Sequence, residues 1–429
     1  MFRIISIFLI ALFTCNLNAQ MVDKAIQGTF LLQNATIHTI TNGVMEGDVL
    51  IVDSKITQLG QGLSSENATI IDCTGKHIYP GLIDSGTRLG LAEVESISLT
   101  QDFNELGSFV PHMQALTAVN PNSVNIPVTR TNGVTTVISK PSGGLFPGTA
   151  ALIDLVGYTP EKMYANFKGV ILNFPSTGKR GRWDRRSKEE VKKDSDKALK
   201  KLDEIWEKAM LYHKIDSTST ASNNEFLDYN PQMDALLPVI RGEIKLMVEV
   251  NKKKDILNAI KWLEDNKIEN AILTGVDEGF KVAKEIKESG YPVITGPVLD
   301  IPNRSYDRYD VSYKNAGIMS KAGVLVALRT NEAENVRNLP FNAGFAAAYG
   351  MGKEEALKAV TINPAQIFGV DNELGSIEVG KNATLFVSTG DPFETKTQVE
   401  VLFINGYQVP IESRHTLLYD EFLDRDQKN

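Results

Sequence analysis

Two stretches near the chain ends alternate apolar and polar positions with a period of two, the signature of half-buried strands. Residues 28–77 do so in TFLLQNATIHTI, DVLIVDSKITQLG and ATIIDCTG, with Asn42-Gly43 and Asp53-Ser54-Lys55 as turns between them. Residues 375–411 repeat the texture in GSIEVGKNATLFVST and VEVLFINGYQV, with Asn405-Gly406 as the turn. This patterning predicts a small β-sandwich domain formed by both chain ends around a central insert.

The insert, residues 78–370, alternates short apolar runs with amphipathic stretches. Eight runs read as strands: IYPGLID, GVTTVIS, AALIDLVG, GVILNF, IKLMVEV, NAILTG, YPVITG and VLVALR. Helical periodicity falls between most of them, at 187–213, 252–266, 277–289 and 335–349. The first of these opens on Ser187-Lys188-Glu189-Glu190, a capping box. Eight strands in βα alternation predict a (β/α)8 TIM-like barrel. A doubly wound sheet is the alternative, but no GxGxxG follows a strand.

Residues 1–19 read as a secretory signal peptide. Arg3 precedes an apolar run from Ile4 to Phe13, and Ala19 offers a small residue before a cut at Gln20. A spanning helix needs about 20 apolar residues, so no membrane span is expected. Cys15 as a lipidation site is the competing reading, poorly matched by Phe13 and Thr14. The expected organisation is a signal peptide (1–19), the β-sandwich first part (20–77), the barrel (78–370), the β-sandwich second part (371–415) and a tail (416–429). The expected location is the periplasm or outside the cell.

Composition narrows the function classes. The chain has 429 residues, 42% hydrophobic, with a formal net charge of −8. That leaves ample core material and argues against nucleic acid as a partner. Two cysteines exclude a disulfide framework and a thiolate zinc site. Five histidines would have to converge to make a histidine-rich metal centre.

Three motifs resemble the amidohydrolase superfamily, in particular its imidazolonepropionase-like branch. They are YPGLIDSGTRLG on the first barrel strand, NVRNLPFNAGFAAAYGMGKEEALKAVTINPAQIFGV over 335–370, and LGSIEVGKNATLFVSTGDPF over 374–393. The resemblance implies metal-assisted hydrolysis of non-peptide C–N bonds in small cyclic amides. It implies His-x-His after the first strand, single histidines on the fifth and sixth strands, and an Asp after the eighth.

Those ligands are missing here. Gly86 and Arg88 stand at the His-x-His positions, and neither can donate a lone pair to a metal. Arginine 4 Å from a divalent ion costs about 8 kcal/mol at an effective dielectric of 20. Glu249 stands on the fifth strand, nothing suitable on the sixth, and Asn331 where the family Asp falls. On the fourth strand, Asn173 offers neither the lysine nor the glutamate of a bridging ligand. No metal or other cofactor is therefore expected. His38, His77, His213 and His415 read as surface or packing residues. His112 alone could reach the barrel mouth.

Arg88 and Glu249 are expected to pair in the mouth, as a structural remnant or as a ligand grip. Lys140, followed by Pro-Ser-Gly-Gly, and Arg329 are further basic candidates, the direction of Arg329 depending on register. Arg337 and Asn338 are expected to position the eighth-strand loop, and the basic loop 178–186 either covers the mouth or is solvated. Three functional readings stay open. The protein is a catalytically silent binder of a small anionic or amide ligand, or a structural partner; or a metal-independent hydrolase with Glu249 as base and Arg88 as oxyanion stabiliser; or a single-metal hydrolase using Glu249, Asp84 and His112. A homodimer, or pairing with a sister amidohydrolase, is the expected association.

Overall fold

The computed structural model describes residues 24–427, except 95, 179–183, 223–227 and 303–306. The expected signal peptide with Cys15, and most of the basic loop 178–186, lie outside the described residues. Among the described residues no helix is long and apolar enough to cross a membrane.

The two chain ends build one nine-stranded, non-closed sheet. Leu385–Ser388 pairs antiparallel with His77–Pro80, which joins the C-terminal part to the N-terminal part. The long strand Thr29–His38 places Phe30, Leu32, Ala35 and Ile37 in one core. A register shift between Leu32 and Ala35 makes this possible. Asn34 takes up the extra residue at φ 63°, its amide donating to Asp48 Oδ1 at 2.9 Å.

The chain crosses into the barrel at Gly81. A Cβ there would sit 2.1 Å from Thr135 Oγ1, so only glycine fits the crossing. The sheet therefore keeps His77–Pro80, and the first barrel strand begins at Leu82, four residues after the expected start.

All eight expected barrel strands form. In order they are Leu82–Thr87, Val134–Ser139, Gly148–Asp154, Tyr164–Asn173, Lys245–Val250, Ala271–Gly275, Val293–Thr295 and Val326–Leu328. The third departs from a strict (β/α)8 pattern by running antiparallel to both neighbours. Only residues 140–147 link it to the second strand, too few for the crossover that parallel pairing needs. The ring is nearly closed: the amide of Asn331 donates to Gly86 O at 2.9 Å, across the gap between the last strand and the first.

Every strand contributes to the apolar barrel interior: Ile83, Ile138, Leu152, Ile171, Met247, Ile272, Ile294 and Ala327. A larger core lies between the strands and the surrounding helices. The helix Lys188–Ser222 buries Leu202 and Trp206 in it, while Met210 is 43% exposed.

Candidate functional site

Strand alternation builds the site directly on the apolar interior. Two residues beyond Ile138, Ile171, Met247, Ile272, Ile294 and Ala327 stand Lys140, Asn173, Glu249, Thr274, Gly296 and Arg329. The register confirms one layer on adjacent strands, with Asn173 opposite Glu249 and Glu249 opposite Thr274.

Arg329 dominates this layer. Its two terminal nitrogens donate to Glu249 Oε2 and Oε1 at 2.7 and 2.6 Å, and its Nε donates to Gly296 O at 3.1 Å. Gly296 makes this approach possible, since a Cβ there would lie 2.2 Å from Arg329 O. Thr274 Oγ1 donates to Glu249 Oε2 at 2.9 Å, and Lys140 Nζ lies 3.4 Å from the same oxygen. Both carboxylate oxygens are thus engaged.

Electrostatics follows from this packing. Burial alone would raise the Glu249 carboxyl, but the charges of Arg329 and Lys140 and the hydrogen bonds hold it far below the ordinary carboxylate range. Burial opposes the Arg329 charge, and Glu249 outweighs it. Lys140 lacks so close a partner, so burial brings its ammonium down to about 8 despite Glu249, with Arg329 and Arg88 pushing the same way.

Asp84 has a different task. It is fully buried and accepts from Thr330 Oγ1 at 2.6 Å, from the Thr330 amide at 3.2 Å and from the Gly86 amide at 3.1 Å. It therefore ties the first strand to the last. Burial raises it to about 7, against these hydrogen bonds and Arg329. Asp277, beyond the sixth strand, is raised by burial to about 6, with Arg329 lowering it and Glu249 raising it.

The expected Arg88–Glu249 pair is corrected: the cation is Arg329. Arg88 points elsewhere, with its guanidinium carbon 5.0 Å from the centre of the Phe103 ring. The first strand shifts register between Asp84 and Thr87, which takes position 88 out of the simple alternation. Asn173 is also spent, its amide donating to Gly143 O and Gly144 O at 3.1 and 2.9 Å and pinning the Gly-rich loop. His112 sits in the segment that accepts the Thr149 amide and hydroxyl on Met113 O and Pro111 O, beside the third strand. Its Nδ1 is buried without a hydrogen bond. Asn331 has a left-handed backbone at φ 58°. Thr274 and Asp277 escaped the sequence reading, although the spacing from Ile272 would have found Thr274.

The donor set does not fit a divalent cation. A Cβ on Gly86 would lie 3.0 Å from Arg329 Cδ and 3.7 Å from Lys140 Cε, so two cationic side chains fill the space a histidine would use. Glu249 already accepts from both terminal nitrogens of Arg329, from Thr274 Oγ1 and from Lys140 Nζ. Among the described residues no group of three or more His, Cys, Asp or Glu is placed to hold a metal ion.

Comparisons with known proteins agree with this architecture. A solved amidohydrolase from Thermotoga maritima MSB8 is 27% identical, with a TM-score of 0.78 over 89% of this chain and 99% of its own. An imidazolonepropionase from Picrophilus torridus is 28% identical over 181 residues, 40% of this chain and 43% of that protein. A D-hydantoinase from Geobacillus stearothermophilus is 43% identical over 63 residues, 15% of this chain and 13% of its own. The chain thus spans less than half the length of these two curated relatives. The amidohydrolase family model matches residues 78–409, and with the barrel and its connection to the chain-end sheet in place, the chain belongs to the amidohydrolase family.

Proposed function

We propose that this protein is an exported, catalytically silent member of the imidazolonepropionase-like branch that binds a small anionic or amide-bearing molecule at the barrel mouth. The observation that carries the reading is the two-pronged Arg329–Glu249 pair, set in the layer where family members do their chemistry. Glu249, gripped and held ionised, is a poor proton acceptor, so neither family-type water activation nor a metal-independent version through Glu249 is supported. Lys140 is the less tightly held cation of the layer: its Nζ meets Glu249 Oε2 at 3.4 Å, against 2.6 and 2.7 Å for Arg329, and an ammonium suits a carboxylate or an amide carbonyl. A second copy, or a sister amidohydrolase, is the proposed partner.

The test is a metal analysis of the purified protein, turnover on a panel of cyclic amides and N-acyl amino acids, and calorimetric binding of the same panel. Binding without turnover or stoichiometric metal is the expected result. Turnover that vanishes in Asp277→Asn would instead favour a metal-independent hydrolase, since the Asp277 carboxyl is raised towards neutrality in the mouth. Stoichiometric zinc would overturn the reading.

A further inference from the structure

A second cleft lies on the flank of the molecule, about 560 Å³ in volume. It sits between the turn before the second barrel strand, the turn Val336–Asn338, and the chain-end sheet with the approach to the last helix. None of Lys140, Glu249 or Arg329 lines it.

Three features give this cleft a chemistry. Arg337 lines it, with its main-chain oxygen accepting from Asn132 Nδ2 at 2.9 Å. The guanidinium makes one long hydrogen bond, 3.4 Å to Asn335 Oδ1, and has no ion-pair partner among the described residues. A half-buried guanidinium with unused donors is a carboxylate receptor in waiting. Next, Glu394 lines the same cleft, is exposed, and forms no ion pair with Arg337. Finally, Phe341, Val399 and Ile411 add apolar side chains to the lining of the cleft, which His415 also joins.

We propose that this cleft binds a small zwitterion with an apolar body, of dipeptide size. Its carboxylate lies on Arg337, its ammonium on Glu394 and its side chains on Phe341, Val399 and Ile411. Two opposite charges that do not neutralise each other match a ligand carrying both. A cleft of several hundred Å³ matches a body larger than one amino acid. The site is separate from the barrel mouth, so this inference stands or falls independently of the function proposed there.

The probe is the dipeptide Leu-Leu, titrated calorimetrically into the full protein beside its N-acetylated and C-amidated forms. Leu-Leu is expected to bind, and each blocked form at least tenfold more weakly. Arg337→Gln is expected to abolish binding, and Arg337→Lys, which keeps the charge but not the fork, to weaken it. Glu394→Gln, an exposed change that leaves the fold intact, is expected to weaken Leu-Leu to the level of the N-acetylated form while leaving that form unchanged. No binding of Leu-Leu, or binding untouched by both Arg337→Gln and Glu394→Gln, overturns the proposal.

Discussion

Arg329 grips Glu249 through two parallel hydrogen bonds, and this pair occupies the centre of the barrel mouth. The guanidinium is 4% exposed and the carboxylate 19%. Removing one partner strands a charge in a site built for two. Glu249→Leu or Arg329→Met alone is therefore expected to cost about 3–5 kcal/mol in denaturant unfolding, while the double variant recovers most of the loss. Singles and double that cost the same would show that the pair is not an energetic unit.

Restoring a family ligand meets the same obstacle. Gly86→His must place its ring where Arg329 Cδ now lies, and Arg329 cannot yield because Glu249 and Gly296 O hold its head. The single variant is expected to lose about 1–3 kcal/mol by overpacking and to take up no zinc on dialysis. Zinc in the single variant would contradict the steric account.

Burial also sets a pH dependence. Asp84 is raised to about 7 and Asp154 to about 6, the latter despite hydrogen bonds from Asn405 and Thr136. A carboxyl raised on folding stabilises fully below its unfolded value and loses that contribution as pH rises through the folded one. Glu249 has the opposite sign, but its contribution is lost only in acid, below the unfolded carboxylate range. Thermal stability is therefore expected to fall between pH 5 and 8. In Asp84→Asn the slope flattens, because a shift of that size is worth about 4 kcal/mol across the titration. An unchanged slope in this variant would remove Asp84 as its source.

Much of this architecture is legible in residue order, because period-two alternation and turn residues mark strands wherever one face is buried. The eight barrel strands and the chain-end sheet come from that rule. The missing ligands at Gly86, Arg88 and Asn331 are equally plain, since they need only a motif and a count. The centre of the site is harder. Arg329 and Arg88 are both basic residues near strand ends, and only the phase set by Ala327 turns Arg329 inward, while a register shift in the first strand turns Arg88 away. Asp84 reads as a free acid until the last strand arrives beside it with Thr330. That contact joins residues 246 positions apart, which no local pattern encodes.

Binding at the mouth carries its own pH signature if Lys140 is the anchor. The ammonium, brought down to about 8 by burial, loses its proton above that value, and an anionic ligand loses its counter-charge with it. Asp277 ionises earlier, from about 6, and adds a negative charge to the same mouth. N-acetylglycine, which carries both an amide and a carboxylate, is the probe. Its affinity, measured calorimetrically from pH 5 to 9.5, is expected to fall in two steps, near 6 and near 8. Asp277→Asn removes the first step and keeps the second. Lys140→Met binds weakly throughout and shows no step near 8, because its side chain has no proton to lose. An affinity that stays level across pH 8 in the unmodified protein takes Lys140 out of the recognition, whatever else binds there.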